Sequence, residues 1–383
     1  MRIFTLDRHP SSRNGGQEWS LLDECVGLAS RGHQVTLGYV VDGDLLSRHR
    51  DGGVRAVRLP GVEIVPSRRL GSALDLVRSA ASAGARGADV ICVNQYHDAL
   101  FGRAVALRRH APLVCHLRLT PPETLCMQWR IGLSGIDRYI AVSESVRTEW
   151  VRHMGFAEDR IDVVHDGIDT ERFRPSADRS AIRRALDTPD NAFVAVYAGR
   201  VDRTKNIEGM MRAFAAVALG DESARLWVAG RPVAHATPDD GFRYLETLRS
   251  LAGELGIGSQ VNWLGPRDDI PVLLSAADAA MLFAYHEPFG RATVEALACG
   301  TPIVAHRPGG TREILTGEFA RFAFDLGNPE EAVAMLRSCI GLRERDPGFA
   351  ARARAHVLKY FSTAAMVDGI ERILQSVIAS RKS

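Results

Sequence analysis

Residues 279–315 read A-A-M-L-F-A-Y-H-E-P-F-G-R-A-T-V-E-A-L-A-C-G-T-P-I-V-A-H-R-P-G-G-T-R-E-I-L, and their punctuation decides the fold. The apolar run 279–284 predicts a buried parallel strand. Glu287 follows it directly, and Phe289-Gly290 begins a turn into residues 292–298, which have the composition of a buried helix. Gly300-Thr301-Pro302 stops that helix, because glycine accepts the left-handed cap and proline cannot continue the helical hydrogen bonds. A second strand, 302–305, ends before Pro308-Gly309-Gly310, and another helix starts near Thr311. Strand, turn, helix, strand at this spacing is one step of an α/β fold with a parallel sheet.

Parallel strands deliver their following loops to the carboxyl edge of the sheet, where α/β proteins bind ligands. Two carboxylates therefore lie near such an edge: Glu287 on the loop and Glu295 about two helical turns further on. The glycines permit close backbone approach, and helix N-termini offer N–H groups to anions or hydroxyl oxygens. A carboxylate only accepts hydrogen bonds and can take two hydroxyl donors, so the pair suggests sugar hydroxyls, one set on a ribose and one on a hexose. Spacing alone equally fits a surface glutamate and a helix-capping glutamate.

Composition narrows the class. A chain of 383 residues suggests two domains, each with its own core. The formal charge of +2, with both signs mixed along the chain, argues against nucleic acid as the main partner. Lysine occurs only at Lys205, Lys359 and Lys382, which singles out the mid-chain one. The six cysteines form no C-x-x-C pair or spaced Cys/His cluster, so reduced thiols are expected and a structural zinc site is not. Met1 leads within one residue into an expected strand, and no apolar run reaches transmembrane length. The expectation is a soluble cytoplasmic protein without an integral membrane segment. No strongly basic amphipathic helix stands out, and peripheral attachment to a membrane is left open.

Working outward, the same alternation fills the chain. Strands are expected at 2–6, 34–40, 54–59, 62–65, 88–93, 112–116, 138–142 and 161–164, and helices from 17 to about 30 and at 74–85, 99–109 and 144–154, the last with Ser143 as N-cap. Residues 120–129 read as a loop carrying Met127 and Trp129. A polar linker with a short helix at 179–186 follows, and the rhythm restarts with strands at 193–198, 224–229 and 261–264 and helices at 207–219, 242–254 and 270–276. A last helix, 364–378, has apolar positions that must pack on something, and the first domain is one candidate. The expected architecture is α/β: two Rossmann-like domains facing across a cleft, 1–174 and 175–360, with a C-terminal helix at 361–383. Gly15-Gly16 opens the first helix, but the dinucleotide G-x-G-x-x-G spacing is absent, which counts against an ordinary nicotinamide enzyme.

Three strand ends in the second half carry matching chemistry: Gly199-Arg200 with Lys205, then Asn262-Trp263-Leu264-Gly265, then the two-glutamate stretch. The motifs Y-A-G-R-V-D-R-T-K-N, V-N-W-L-G, E-P-F-G-R-A-T-V-E-A-L-A-C-G-T-P-I-V-A and P-G-G-T-R-E-I-L resemble the donor-binding half of the family-4 glycosyltransferases, which are retaining enzymes of the GT-B fold. N-G-G-Q-E, R-G-H-Q-V-T, V-S-E-S-V and H-D-G-I-D-T-E-R-F extend the resemblance through the first half, so it covers nearly the whole chain.

The resemblance implies roles. Arg200 and Lys205 would bind the donor diphosphate and stabilise the charge growing on it, a preorganised electrostatic role. Glu287 would hold donor-sugar hydroxyls, with Pro288 and the backbone at Phe289 and Gly290 beside it. Glu295 would hold the ribose and Leu264 would wall the base. Gly16 would approach the diphosphate from the other domain, and His116 would sit beside the reacting centre, although a strand-end histidine satisfied by backbone is the plain reading of that residue. Acceptor contacts are expected from Asn14, Tyr96, His97, Arg118, Met127 and Trp129 in the first domain.

The reaction implied is same-face transfer of a hexosyl-type sugar from a nucleoside-diphosphate sugar, UDP-linked by family default, to a hydroxyl of a small-molecule, glycan or lipid-linked acceptor. No metal or other cofactor is expected, because the cations and helix N-termini supply the positive potential. A monomer or a homodimer is expected. Asn206 departs from the pattern, standing where glycine is usual. Rival readings are a nucleotide-sugar epimerase or hydrolase on the same fold, and a non-catalytic sugar-nucleotide-binding subunit.

Overall fold

The computed structural model describes residues 1–13, 15–81, 87–176, 178–233 and 239–381. The chain divides into two units, Met1–Gly167 with Ser362–Ser383, and Ile168–Phe361. The first unit holds seven strands, β1 (Arg2–Leu6), β2 (Gln34–Tyr39), β3 (Arg55–Arg58), β4 (Val90–Val93), β5 (Leu113–Leu117), β6 (Arg138–Ala141) and β7 (Ile161–Val163), paired in the order β3-β2-β1-β4-β5-β6-β7. Every pair is parallel, with Ile3 between Val35 and Val90. Central strands buried on both faces need continuous apolar runs, which is why V-I-C-V and L-V-C-H-L form β4 and β5.

In the second unit, β8 (Val194–Ala198), β9 (Arg225–Ala229), β10 (Val261–Gly265), β11 (Ala279–Leu282), β12 (Ile303–His306) and β13 (Ala323–Phe324) pair as β10-β9-β8-β11-β12-β13. These pairs are parallel too. Both sheets reverse their strand order once, between β1 and β4 and between β8 and β11. Connections leave in opposite directions at such a point, and the loops after the two strands open a crevice at the carboxyl edge.

The C-terminal helix Thr363–Ser380 belongs to the first unit's core. Met366, Val367, Ile370 and Leu374 are buried in one cluster with Leu21, Cys25 and Leu28 of the helix Gly16–Ser30. Gly27 permits this approach, since a Cβ there would stand 2.6 Å from a methyl of Val367. The first unit ends at Gly167, ahead of the boundary expected after residue 174, because the next residues are tied to the second unit. Ile168 donates its N–H to the Phe361 carbonyl at 3.0 Å, and the Phe173 carbonyl accepts from Arg354 at 2.9 Å.

Three local expectations are corrected. Residues 62–65 form no strand: Val65 donates its N–H to the Ser72 hydroxyl at 3.0 Å and leads into a 3-10 turn, Pro66–Arg68, that starts the helix Arg69–Ala81. Residues 120–129 are not all loop, since the helix Met127–Leu133 carries Met127 and Trp129. Residues 316–361, left without elements above, hold β13 and the helices Pro329–Cys339, Leu342–Arg345 and Phe349–Tyr360. Among the described residues no helix is long and apolar enough to cross a membrane.

Candidate functional site

In the second unit Arg200, Lys205 and Glu287 lie on the two loops at the strand reversal. After β8 the chain turns through Gly199 and Arg200 into a 3-10 turn, Arg203–Lys205. Asp202 shapes this turn by accepting the Thr204 N–H at 2.9 Å, and it stands 3.6 Å from the Arg200 Nε. Buried Tyr197 donates its hydroxyl to the Arg200 carbonyl at 2.5 Å, and burial pushes its phenol pKa well above the usual range. The turn ends on Asn206, whose φ of 50° lies in the left-handed region and whose side chain accepts the Gly209 N–H at 3.2 Å, capping the helix Ile207–Ala218. Asparagine tolerates this conformation better than most residues, so it serves in the place of a glycine.

After β11, Tyr285 anchors the neighbouring loop by donating its N–H to the Thr204 carbonyl at 3.1 Å. The decisive contact follows: Lys205 Nζ donates to Glu287 Oε2 at 2.7 Å, with both side chains partly accessible. The loop is braced from behind by Pro308-Gly309-Gly310. Gly310 donates its N–H to the Glu287 carbonyl at 2.9 Å, and a Cβ at Gly309, where φ is 84°, would stand 2.1 Å from that carbonyl oxygen. Phe289 turns its ring into the core, 6.0 Å from that of Phe361, so only its backbone serves the loop. Pro288 is partly buried beside it, and Gly290 precedes the helix Arg291–Ala298. Glu295 lies within that helix, 3.5 Å from Arg291 Nε. Burial pushes the Glu295 carboxyl up, while Arg291 and Arg172 oppose the shift. Leu264 lies half-buried on β10, the outermost strand at that side of the sheet, and neighbouring Asn262 donates its amide to the Leu186 carbonyl at 3.2 Å.

The first unit presents a different arrangement at its strand ends. His116, near the end of β5, is buried, and its Nε2 meets Glu24 Oε1 at 3.2 Å. Arg118, expected among the acceptor contacts, is buried in this ionic network. Its guanidinium donates to Glu24 at 2.8 Å, Asp166 at 2.5 Å and Asn94 at 2.6 Å, because one acceptor on the helix Gly16–Ser30 and two that follow strands converge on it. Burial pushes the Glu24 carboxyl up, but His116 and Arg118 outweigh it and hold the group below its usual range. Tyr96 and Trp129 meet edge to face at 5.2 Å, and His97 stands against Tyr96 at 5.4 Å. Met127 points outward, 72% exposed. Gly16 opens the first helix, and Asn14 lies outside the described residues.

The sequence reading missed Glu24, and the signal was available. Position 24 falls on the face of Leu21, Cys25 and Leu28, so a carboxylate there had to be buried and paired. Asp166 carries no periodic signal, since its partner Arg118 comes from another strand end, whereas Asp202 pairs within its own turn, with Thr204 and Arg200.

Two family models meet end to end on the chain. Glycosyltransferase Family 4 matches residues 14–172, and Glycosyl transferases group 1 matches residues 178–356. The chain belongs to the family-4 glycosyltransferases of the GT-B fold. Among curated proteins, the D-inositol 3-phosphate glycosyltransferases of Mycobacterium tuberculosis and Mycobacterium bovis are 34% identical over 256 residues, 64% of this chain and 51% of theirs. The chain thus spans about half the length of the curated relatives it matches. Among solved structures, Anabaena HepE in complex with UDP and glucose is similar with a TM-score of 0.83 and 24% identity, covering 98% of this chain and 100% of that one. A glycosyltransferase from Rickettsia africae is similar at a TM-score of 0.80 and 16% identity, with 98% of each chain covered. The GT-B likeness agrees with the two parallel sheets described above.

Proposed function

We propose that the chain is a retaining glycosyltransferase that moves a hexosyl group from a UDP-linked sugar to a hydroxyl acceptor in the cytoplasm. The observation that carries this reading is the pairing of Lys205 with Glu287 at 2.7 Å where the strand order reverses, with Arg200 on the same strand end. A cation and a carboxylate on adjacent loops at such a crevice match a ligand with a diphosphate on one side and sugar hydroxyls on the other. The complexes of HepE with UDP-glucose and with UDP and glucose support UDP as the carrier.

In this reading Lys205 and Arg200 bind the diphosphate and stabilise the charge that grows on its terminal phosphate as the anomeric C–O bond breaks. The bond's electron pair leaves with that phosphate. The acceptor oxygen bonds to the anomeric carbon on the face the phosphate left, and the acceptor proton passes to the departing phosphate oxygen. Glu287 orients the sugar through its hydroxyls, and the backbone N–H groups near Phe289 and Gly290 assist. Glu295 takes the ribose hydroxyls, its carboxyl raised by burial against the opposing pull of Arg291 and Arg172. Residues 168–361 form the donor half, and 1–167 with 362–383 the acceptor half, where His116 works from an orientation fixed by Glu24. The proposal gives the diphosphate's charge to these side chains and requires no metal.

The test is UDP release from UDP-glucose and other sugar nucleotides, with and without candidate acceptors. D-inositol 3-phosphate, named for the mycobacterial relatives, is the first acceptor to try. Acceptor-dependent UDP release with a product of retained anomeric configuration is expected. Tight binding of every donor without turnover would leave a non-catalytic subunit in its place.

A further inference from the structure

At the amino ends of β8 and β11, opposite the carboxyl ends that lead to Arg200 and Glu287, three arginines gather around one carboxylate. Asp278 directly precedes β11, and its Oδ2 accepts the Val194 N–H, at the start of β8, at 2.8 Å. The same oxygen accepts from Arg183 Nη2 at 2.8 Å, while Oδ1 accepts from Arg179 Nη2. Both arginines lie on the helix Arg179–Ala185, four residues apart and so on one face. Arg343, from the helix Leu342–Arg345, reaches the same place: its Nη2 donates to the carbonyls of Ser275 at 2.8 Å and Ala277 at 2.9 Å, the second being Asp278's neighbour in the chain.

The three guanidiniums are not used alike. Arg183 is fully buried and every nitrogen is engaged, Nε by the Ala276 carbonyl and Nη1 by those of Asp190 and Ala192, so it clamps the loops. Arg179 and Arg343 are only partly buried, yet the Nε of each is shut away from solvent with no hydrogen-bond partner among the described residues. Asp278 already accepts from three donors, and the other acids within electrostatic reach, Asp190 and Glu344, are exposed. Burial pushes the Arg343 guanidinium down, and repulsion from Arg179 outweighs the attraction of Asp278. The fold thus leaves positive charge and unused donors on Arg179 and Arg343.

We propose that Arg179 and Arg343 form a binding site for a phosphate group at the amino edge of the second sheet. A guanidinium fork matches phosphate oxygens two at a time, and a dianion between two forks supplies acceptors to the orphaned Nε–H groups and removes the repulsion. Three cations against one buried carboxylate leave two charges, which a phosphate dianion balances and a carboxylate ligand does not. The five residues of β8 put roughly 16 Å of strand between this site and the turn that carries Arg200, so the ligand is not the donor's diphosphate. The inference does not rest on the proposed reaction.

The experiment is equilibrium dialysis of the full chain against labelled inorganic phosphate, run on the parent and on Arg200→Ala/Lys205→Ala, which removes the cations of the donor loops. That double variant is expected to keep one phosphate site. Adding Arg179→Gln to it should weaken the site about tenfold or more, and adding Arg343→Lys severalfold, because lysine keeps the charge and loses the fork. Arg179→Gln leaves Asp278 its bonds from Arg183 and Val194, and unfolding temperatures separate a lost site from a lost fold; Arg343→Lys carries the test if Arg179→Gln unfolds. Displacement of the label by glucose 6-phosphate at lower concentration than by phosphate assigns the site to a phosphorylated small molecule, and displacement only at higher concentration assigns it to the free ion. Loss of all phosphate binding in Arg200→Ala/Lys205→Ala overturns the proposal, as does undiminished binding in either folded arginine variant.

Discussion

The two units build strand-end sites from the same topology and treat charge in opposite ways. In the first, Glu24, His116, Arg118 and Asp166 are each at most 6% exposed and bind one another in a closed network. In the second, Lys205 and Glu287 form one pair with side chains 17% and 18% exposed, and Arg200 is 40% exposed. A buried charge without its partner is severely penalised, so the first network behaves as a fixture. An accessible ion pair contributes little to stability and exchanges partners readily, so under the proposed reaction the second would give Lys205 to an arriving diphosphate and Glu287 to a sugar hydroxyl. One unit uses charge to hold geometry, and the other keeps charge available.

Removing one buried partner is the severest way to break that contrast. Arg118→Ala would leave Glu24 and Asp166 buried without their cation, and a loss of about 3–5 kcal/mol in unfolding free energy is expected from denaturant titration. Adding Glu24→Gln should recover part of that loss, giving a non-additive double-mutant cycle. Strict additivity would show that the network is not one unit.

In the second unit the expected damage is to rate. Lys205→Ala and Arg200→Ala should each lower turnover by about two orders of magnitude or more while shifting stability by no more than about 1 kcal/mol. Turnover near that of the parent chain in both variants, or a large stability loss in either, would erase the distinction. Chelation with EDTA should leave the remaining turnover of every variant, and that of the parent, unchanged.

How legible each region was follows the same line. The accessible site was readable because its residues lie where sequence punctuation is strongest: Gly199-Arg200 and Pro308-Gly309-Gly310 follow strand ends, Phe289-Gly290 opens a helix, and Lys205 is a rare residue in this chain. The alternation of strands and helices was readable because buried parallel strands need continuous apolar runs. The network around Arg118 was not, because Glu24, Asn94 and Asp166 come from three different connections and meet only after the sheet order is set. An arginine at a strand end looks the same in sequence whether it faces a ligand or a buried carboxylate. The helix Arg69–Ala81 misled for another reason, since Ser72 and Ser79 lie inside while Leu70 and Leu74 lie outside.

The pH dependence of stability tests whether the first unit's charges are as fixed as the contrast requires. Asp7, just past β1, has its carboxyl pushed up to about 7 by burial, with Glu18 adding to the shift. A group raised above its unfolded value near 3.8 binds its proton more tightly in the folded state, so stability falls as pH rises between that value and about 7. The slope from this residue is about 1 kcal/mol per pH unit, and Asp7→Asn should flatten it and stabilise the chain above pH 7. Glu24 works with the opposite sign at lower pH: its depressed carboxyl adds stability that is lost as acid protonates it. Unfolding curves collected across pH should therefore separate the two residues.

The smallest expected effect sharpens the account of the accessible site. Asn206 ends the turn that presents Lys205, in a left-handed conformation that glycine adopts without strain. Asn206→Gly relieves that strain, but it removes the side-chain cap on Gly209 and the 3.4 Å contact with the Tyr285 hydroxyl. Replacing an asparagine cap by glycine costs only a few tenths of a kcal/mol, so stability should stay within about 0.5 kcal/mol and donor affinity within about twofold. Asn206→Val should do worse on both counts, because a β-branched side chain resists positive φ. If valine held the turn as well as glycine, the backbone conformation at residue 206 would not be what positions Lys205, and its contact with Glu287 would have to carry that task alone.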